Sequence, residues 1–381
     1  MAGRAVFFYG SLRDPELLSV VLGRPQARIS LASARLPDHA LRQVAGENFP
    51  CVVPAPGASA PGEVARDLTE AEVARVLFFE DDAEYELRPL TVLAGPETDP
   101  APVEALVCFP KGPTTPAGPW RFEDWPAADR DLLIECAHEI MALYEDGADW
   151  SDLTLWPGLK ARAAARARAG RAPSAPFPGV DFGRDAVRTE KLARPYASFF
   201  GVEEHHVSFP TSDGGRSPVV RRAVWASGDA ATVLPYDPRA DRVLLATQWR
   251  AGPHARGDAR PWPWEVIAGR LDATEAPEEA ARREAQEEAG IEIGRIEQAG
   301  AYYTSPGTLA EFVTSFVGEA DLTSAGGAGG LEEEAEDVIS AVLDFDAAMA
   351  AVDRGAVNSS PALVSLMWLA RHRDRLRAQW G

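Results

Sequence analysis

Glu284, Glu287 and Glu288 stand at i, i+3 and i+4. On a helix this spacing puts three carboxylates on one face, where like charges repel and weaken an isolated helix. A divalent cation between them removes that penalty. Mg²⁺ is hard, takes oxygen ligands and keeps several of its waters. Held here, it would neutralise a pyrophosphate, polarise its phosphorus and lower the pKa of an attacking water. The surrounding residues argue for the helix that this chemistry needs. Pro277 presets a first turn, Glu278 and Glu279 suit its positive end, and Gly290 ends it. Gly269 permits a tight loop ahead of it, and Arg283 is placed to brace a neighbouring carboxylate, Glu275. An acidic run by itself is usually a solvated helix face. The ordered loop, helix and turn around this one favour a site.

The chain that must position these residues has 381 of them, 46% hydrophobic and 25% charged. That length suits two domains, each able to bury its own core. The net charge of −20 excludes a general basic footprint for nucleic acid. A phosphorylated ligand would therefore depend on bound cations and a few placed arginines. No apolar run approaches the ~20 residues that span a bilayer. Arg4 leads directly into Val6-Phe7-Phe8-Tyr9, too short and aromatic for a signal peptide, so the expectation is a cytoplasmic protein without membrane contact. Cys51, Cys108 and Cys136 form no CxxC pair and read as buried small hydrophobes. His205-His206 lacks the spacing of a zinc site.

Periodicity divides the sequence into residues 1–158, a linker at 159–182 and residues 183–381. The linker opens with an Ala/Arg-rich stretch, Lys160 to Arg168, that can form a short helix, and continues through Pro173, Pro176 and Pro178, which cannot share one helix. The first region predicts a strand over 5–9, a turn at Gly10-Ser11 and a helix over 15–22 stopped by Gly23. Short strands follow to about residue 110, then a helix over 126–145 with an apolar stripe through Leu132, Leu133, Cys136, Ile140, Met141 and Tyr144. The second region predicts strands at 219–225, 231–236, 243–248, 298–303 and 311–317, a Gly-rich acidic loop at 324–337 and a closing helix from Pro361. The fold class is α+β or α/β in two domains.

Residues 269 to 291, GRLDATEAPEEAARREAQEEAGI, match the pattern G-x5-E-x7-R-E-U-x-E-E-x-G-U, where U is apolar, at every fixed position. The C-terminal region thereby resembles the Nudix hydrolases, which implies an α/β/α sandwich. Around the box, VVRRAVWASGDAATVLPYDP, QWRAG, WEVIAGRLD, YYTSPGTLAEFVTSFVGEAD and GLEEEAEDV are similar to the ADP-ribose pyrophosphatase branch, as is the closing helix from Asn358 to Leu369. The resemblance implies that Glu284, Glu288 and the Ala268 carbonyl hold Mg²⁺, with Mn²⁺ as a substitute, and that Glu287 helps. It makes Glu334 the base that orients or deprotonates water, and Glu336 a further metal contact. Ser305-Pro306-Gly307 corresponds to a substrate-contacting turn, Glu311 to a residue near the terminal ribose, and Arg250 to a phosphate-side arginine. Arg222 corresponds to one that reaches across from the partner in a swapped homodimer. Leu309-Ala310 stand where that branch is more polar. The implied reaction is hydrolysis of ADP-ribose to AMP and ribose 5-phosphate. The alternatives are another nucleoside-diphosphate sugar as substrate, or a non-catalytic nucleotide sensor. Trp249, Trp262 and Trp264 are candidates to stack on adenine, or else core anchors.

The N-terminal region resembles the γ-glutamylcyclotransferase-like (AIG2-like) family through FFYGSLRDPELL, ENFPCVVPAPG, PGEV and LFFEDDAEYELRPLTV. This implies a mixed β-barrel with helices. Tyr9, Gly10, Ser11 and Leu12 would present backbone N–H groups to a γ-glutamyl substrate. Glu80 would shuttle the proton as the substrate amine attacks its own γ-carbonyl, giving 5-oxoproline. Leu77 stands where that family carries an aspartate. Phe78, Phe79 and Tyr85 surround Glu80 in sequence and would raise its pKa by desolvation. The other reading of this region is a ligand-binding or scaffold domain.

Overall fold

The computed structural model describes residues 3–81, 83–96, 98–147, 156–173, 175–330 and 337–381. The protein forms two compact units, Met1–Arg171 and Ala172–Gly381.

The first unit is a five-stranded barrel with helices on its outside. Strand β1 (Arg4–Phe8) pairs with β3 (Pro50–Leu68) and β5 (Ala101–Pro110); β5 pairs with β4 (Tyr85–Ala94), β4 with β2 (Leu31–Val44), and β2 with β3, which closes the ring. Only the β1–β5 pair is parallel, and a short β6 (Pro116–Pro119) extends β2. Strand alternation assigns the two faces of β1. Phe7, with Tyr9 just beyond the strand, joins the barrel interior, alongside Leu36, Val64, Val92 and Val107. Val6 and Phe8 turn the other way, into a cluster built from α1 (Pro15–Leu22), α2 (Glu70–Phe79), α3 (Ala127–Glu145) and α4 (Trp156–Arg171). Asp14 caps α1 by accepting from the Glu16 and Leu17 N–H groups at 3.0 Å each, and also pairs with Arg130 of α3.

The stretch at the head of the expected linker, Lys160 to Arg168, lies within α4. The Ala/Arg-rich stretch packs on α3 with Leu159, Ala163 and Ala164 buried. Its arginines are part of the packing: Arg162 and Glu139, 4% and 2% exposed, pair at 2.8 Å, and Arg166 also donates to Glu139. Composition does not display this packing, because the acidic partner lies on another helix. Domain edges at 158/159 and 182/183 therefore stand as a sequence proposal, beside a structural division at Arg171.

The second unit contains a mixed seven-stranded sheet. Its order is β13 (Ile296–Tyr303), β14 (Phe312–Glu319), β10 (Ala230–Asp237), β11 (Arg242–Thr247), β16 (Val338–Asp344) and β15 (Gly327–Gly329), with β12 (Ile267–Arg270) also on β10. Helix α6 (Pro277–Ala289) covers one face over Ala231, Val233, Leu244 and Phe316. Helices α7 (Phe345–Asp353) and α8 (Ser360–Trp380) cover the other over Leu234, Tyr236, Val243 and Val317. Neighbouring residues of β10 thus serve opposite layers, giving an α/β/α sandwich. A separate three-stranded sheet, β7 (Arg188–Ala197), β8 (Gly201–Ser208) and β9 (Val220–Ala226), precedes it. Sequence patterning marked only β9 of these strands. The long β2–β3 hairpin, short α5 (Ala251–Arg256) and α7 were also not anticipated. The loop expected at 324–337 contains β15.

Candidate functional sites

Helix α6 forms as its sequence dictates. The Glu279 carboxylate accepts from the Ala276 N–H at 3.0 Å, and Gly290 adopts the left-handed conformation (φ 63°) that ends the helix. Ala280, Ala281 and Ala285 are fully buried against the sheet. The small Ala285 is what lets the helix backbone sit close. Glu284 and Glu288 lie along the same side of the helix, between these alanines, and Glu287 lies beside them. Arg283 gathers carboxylates: its Nε and Nη2 donate to the two oxygens of Glu275 at 2.9 and 3.0 Å. Its Nη1 donates to Glu284 at 2.7 Å and Glu287 at 2.9 Å, and Nη2 also reaches the Arg270 carbonyl at 3.2 Å. This guanidinium is held firmly charged, chiefly by its bonds to Glu275.

The loop before the helix is shaped around the same group. A Cβ on Gly269 would fall on the side chain of Glu284. Glu284 therefore lies directly against β12, whose Ala268 pairs with Thr232 of β10. Glu288 is 3% exposed, and its backbone carbonyl lies where a Cβ on Gly329 of β15 would go. The donor set is all oxygen and carries excess negative charge, which fits a hard divalent cation. Among the described residues no three such groups converge on a single point, and Arg283 serves as their counter-cation. Glu334 and Glu336 lie outside the described residues.

The remaining expected residues surround this helix unevenly. Arg250 donates from Nε to Glu265 at 2.9 Å, beside a cleft also lined by Arg256, Asp258, Asn358 and Ser359. Burial raises the pKa of Glu265, and Arg250 opposes that rise. Sequence reading overlooked Glu265, although its place four residues before Gly269 was a usable signal. Ser305 opens a turn in which its carbonyl accepts from Thr308 and Leu309 at 3.0 and 2.9 Å; Pro306 and Gly307 are exposed. Trp225 of β9 pins this turn through bonds to Thr308 and Ala310. Glu311 accepts from Thr304 at 3.2 Å, and burial raises its pKa. Arg222 is exposed on the separate three-stranded sheet and donates to the Arg221 carbonyl. The structure does not bring it to α6. Trp264 packs into the core, whereas Trp249 and Trp262 are half exposed.

The first unit holds a cavity of ≈ 390 Å³ beside β1. It is lined by all four residues of the Tyr9–Leu12 turn and by Glu80, Tyr85 and Cys108. Glu80 ends α2, and the backbone turns sharply at Asp81 (φ 68°), whose carboxylate accepts from the Ala83 N–H at 3.0 Å. Burial pushes the Glu80 carboxyl up to about 7. The Tyr9 hydroxyl donates to the Cys108 carbonyl at 2.9 Å. Burial first, and the negative charge of Glu80 after it, push Tyr85 up to about 12. A carboxyl raised towards neutrality that lines one cavity with Tyr9 and Tyr85 is suited to moving a proton near neutral pH.

Residues 226–363 match the family model for the NUDIX domain, and residues 6–126 that for the gamma-glutamyl cyclotransferase, AIG2-like, domain. The protein is 33% identical over 202 residues to an ADP-ribose pyrophosphatase of Escherichia coli (strain K12), covering 53% of this sequence and 96% of the relative. It is 34% identical over 187 residues to an ADP-ribose pyrophosphatase of Haemophilus influenzae, covering 49% and 86%. It is 33% identical over 150 residues to a GDP-mannose pyrophosphatase of Enterobacter sp., covering 39% and 77%.

Proposed function

We infer, on the premise that this protein belongs to the Nudix family and is a hydrolase of pyrophosphate bonds, that its second unit cleaves ADP-ribose to AMP and ribose 5-phosphate. One observation carries the reading from sequence into geometry: Glu284 is seated against Gly269 and tied through Arg283 to Glu275 and Glu287. In this account Glu284, Glu288 and the Ala268 carbonyl hold Mg²⁺ or Mn²⁺, with Glu287 in support and Glu336 as a further contact. When bound, the ion offsets diphosphate charge and makes phosphorus more electrophilic.

The protein's own groups do the rest. Arg250 steadies the phosphate side, and Glu265 fixes the direction of its guanidinium. Ser305, Pro306 and Gly307 position the substrate, while Glu311 faces the terminal ribose. Glu334 takes the proton from the attacking water, and a base outside the metal helix can arrive with the substrate. The backbone passes Glu288 at Gly329 shortly before reaching Glu334 in sequence. Arg222, exposed on the three-stranded sheet, suits a residue donated to the partner's site in a homodimer. The protein is proposed to work in the cytoplasm, without nucleic acid.

Relatives named for ADP-ribose and for GDP-mannose both match this unit, so a substrate panel decides. Purified protein with Mg²⁺ is expected to hydrolyse ADP-ribose faster than GDP-mannose, dinucleotides or nucleoside triphosphates. Preference for triphosphates would remove the assignment, and nucleotide binding without turnover would favour a sensor.

A second reading concerns the first unit, where Glu80 beside the Tyr9–Leu12 turn supports γ-glutamylcyclotransferase chemistry. The substrate α-amine attacks the γ-carbonyl, the γ-amide C–N bond breaks, and Glu80 passes a proton to the departing amine. Release of 5-oxoproline from γ-glutamyl amides, lost in Glu80→Gln, is its test.

A further inference from the structure

The AIG2-like match ends at residue 126, yet the cavity around Glu80 continues beyond it. Leu133 and Ile140 of α3 and Trp156 of α4 also line the cavity, together with Phe49, Val76 and Phe79. Glu80 and the Tyr9–Leu12 turn supply polar groups, whereas these helical residues supply an apolar wall. Among the described lining residues none is Lys, Arg or His. The remaining ionisable ones, Asp81, Tyr9, Tyr85 and Cys108, are acids. An anionic group on this wall would lose its hydration and meet no counter-charge among the described lining residues.

The two helices are fixed in place. Glu139 of α3 is buried with Arg162 of α4 at 2.8 Å, and the small Ala163 and Ala164 permit close approach. The part of the wall formed by Leu133, Ile140 and Trp156 thus lies on two helices, beyond the family match, that pack on each other.

We propose that α3 and α4 form the leaving-group subsite of this cavity, and that it selects γ-glutamyl amides whose amine portion is apolar and uncharged. The proposal rests on the cyclotransferase reading of Glu80. The reaction balances without a co-reactant. The α-ammonium loses two protons as its nitrogen bonds to the γ-carbon; the amide C–N bond breaks, and the amine leaves with both protons as an ammonium ion.

The test uses the full-length protein and a matched pair, γ-glutamylbenzylamide and its ring-carboxylated analogue, γ-glutamyl-4-carboxybenzylamide. Turnover is followed as 5-oxoproline, and binding by calorimetry. The neutral amide is expected to be preferred by more than about tenfold in both, the factor for only part of one charge's desolvation. Leu133→Gln and Trp156→Ala should shrink that preference, with melting temperature checked in parallel. Equal turnover of the pair sinks the subsite while the cyclotransferase reading survives. Selective binding of the neutral amide without 5-oxoproline does the reverse. Failure of the neutral amide to bind, or unchanged preference in both folded variants, overturns the proposal.

Discussion

The Glu284 carboxylate occupies the space that a side chain at Gly269 would need. The backbone at 269 is not left-handed, so Gly269→Ala is a test of space and not of strain. The alanine should leave α6 in place, because Ala280, Ala281 and Ala285 anchor it in the core. Glu284 would be pushed off β12. We expect kcat/KM to fall roughly 10–100-fold, as when the support of a metal ligand is removed, with a melting temperature close to wild type. A fully active Gly269→Ala protein would separate Glu284 from the chemistry.

Arg283 balances Glu275, Glu284 and Glu287 in the structure. Arg283→Met removes the charge and keeps most of the stem. The side chain is about a third exposed, so the loss should be modest, roughly 1 kcal/mol. The informative measurement is melting with and without Mg²⁺. Uncompensated carboxylates should gain more from the ion, so the Mg²⁺-induced rise in Tm should be larger in the variant. A smaller rise would mean that Arg283 organises the metal ligands more than it neutralises them.

Glu80 gives the first unit a pH signature. Its carboxyl is raised from the ordinary 4.5 to about 7 by burial. The folded state therefore holds a proton that the unfolded state has released, and the stability linked to it is full below about pH 4.5 and is lost as pH rises through about 7. Glu80→Gln cannot ionise. Relative to wild type it should gain stability between those limits and keep a constant advantage of roughly 2–3 kcal/mol above them. Urea titrations at pH 5 and pH 8 measure this; an equal difference at both would contradict the burial of a titrating carboxyl.

The Glu139–Arg162 pair predicts a non-additive cycle. Arg162→Met leaves a buried carboxylate with only Arg166, and should cost roughly 3 kcal/mol. Adding Glu139→Met should recover much of the loss, because a matched apolar pair avoids stranding charge. Thermal unfolding of the two single variants and the double variant is the measurement. Additive losses would show that the pair does not act as a unit.

The legible parts of this protein were those encoded within one segment. The carboxylate spacing of α6, its Pro277 start and its Gly290 stop are local, and the helix follows them closely. The apolar runs of β10 and β11 around the turn at Asp237 to Asp241, and the apolar stripe of α3, likewise announced a hairpin and a packed helix. What stayed hidden depends on distant partners. The Ala/Arg content of Lys160 to Arg168 allows a helix but does not show its burial, which depends on Glu139 of α3 beside Arg162. Strands β7 and β8 mix charged and apolar residues without strict alternation, and bulges interrupt their register between Thr189 and Lys191 and between Ala193 and Tyr196. The cavity at Glu80 joins residues from β1, α2, β5, α3 and α4, so no window of sequence displays its apolar wall.

The central claim is that the glutamates of α6 hold a divalent ion that drives hydrolysis of a diphosphate linkage. Its most direct test is the initial rate of AMP formation from ADP-ribose, titrated with Mg²⁺, in the wild-type protein and in Glu284→Gln. A saturable Mg²⁺ requirement is predicted for the wild type, with a rate lower by at least roughly a hundredfold in the variant. Cleavage that proceeds equally well in excess chelator, or a variant with normal rate and normal Mg²⁺ dependence, would contradict it.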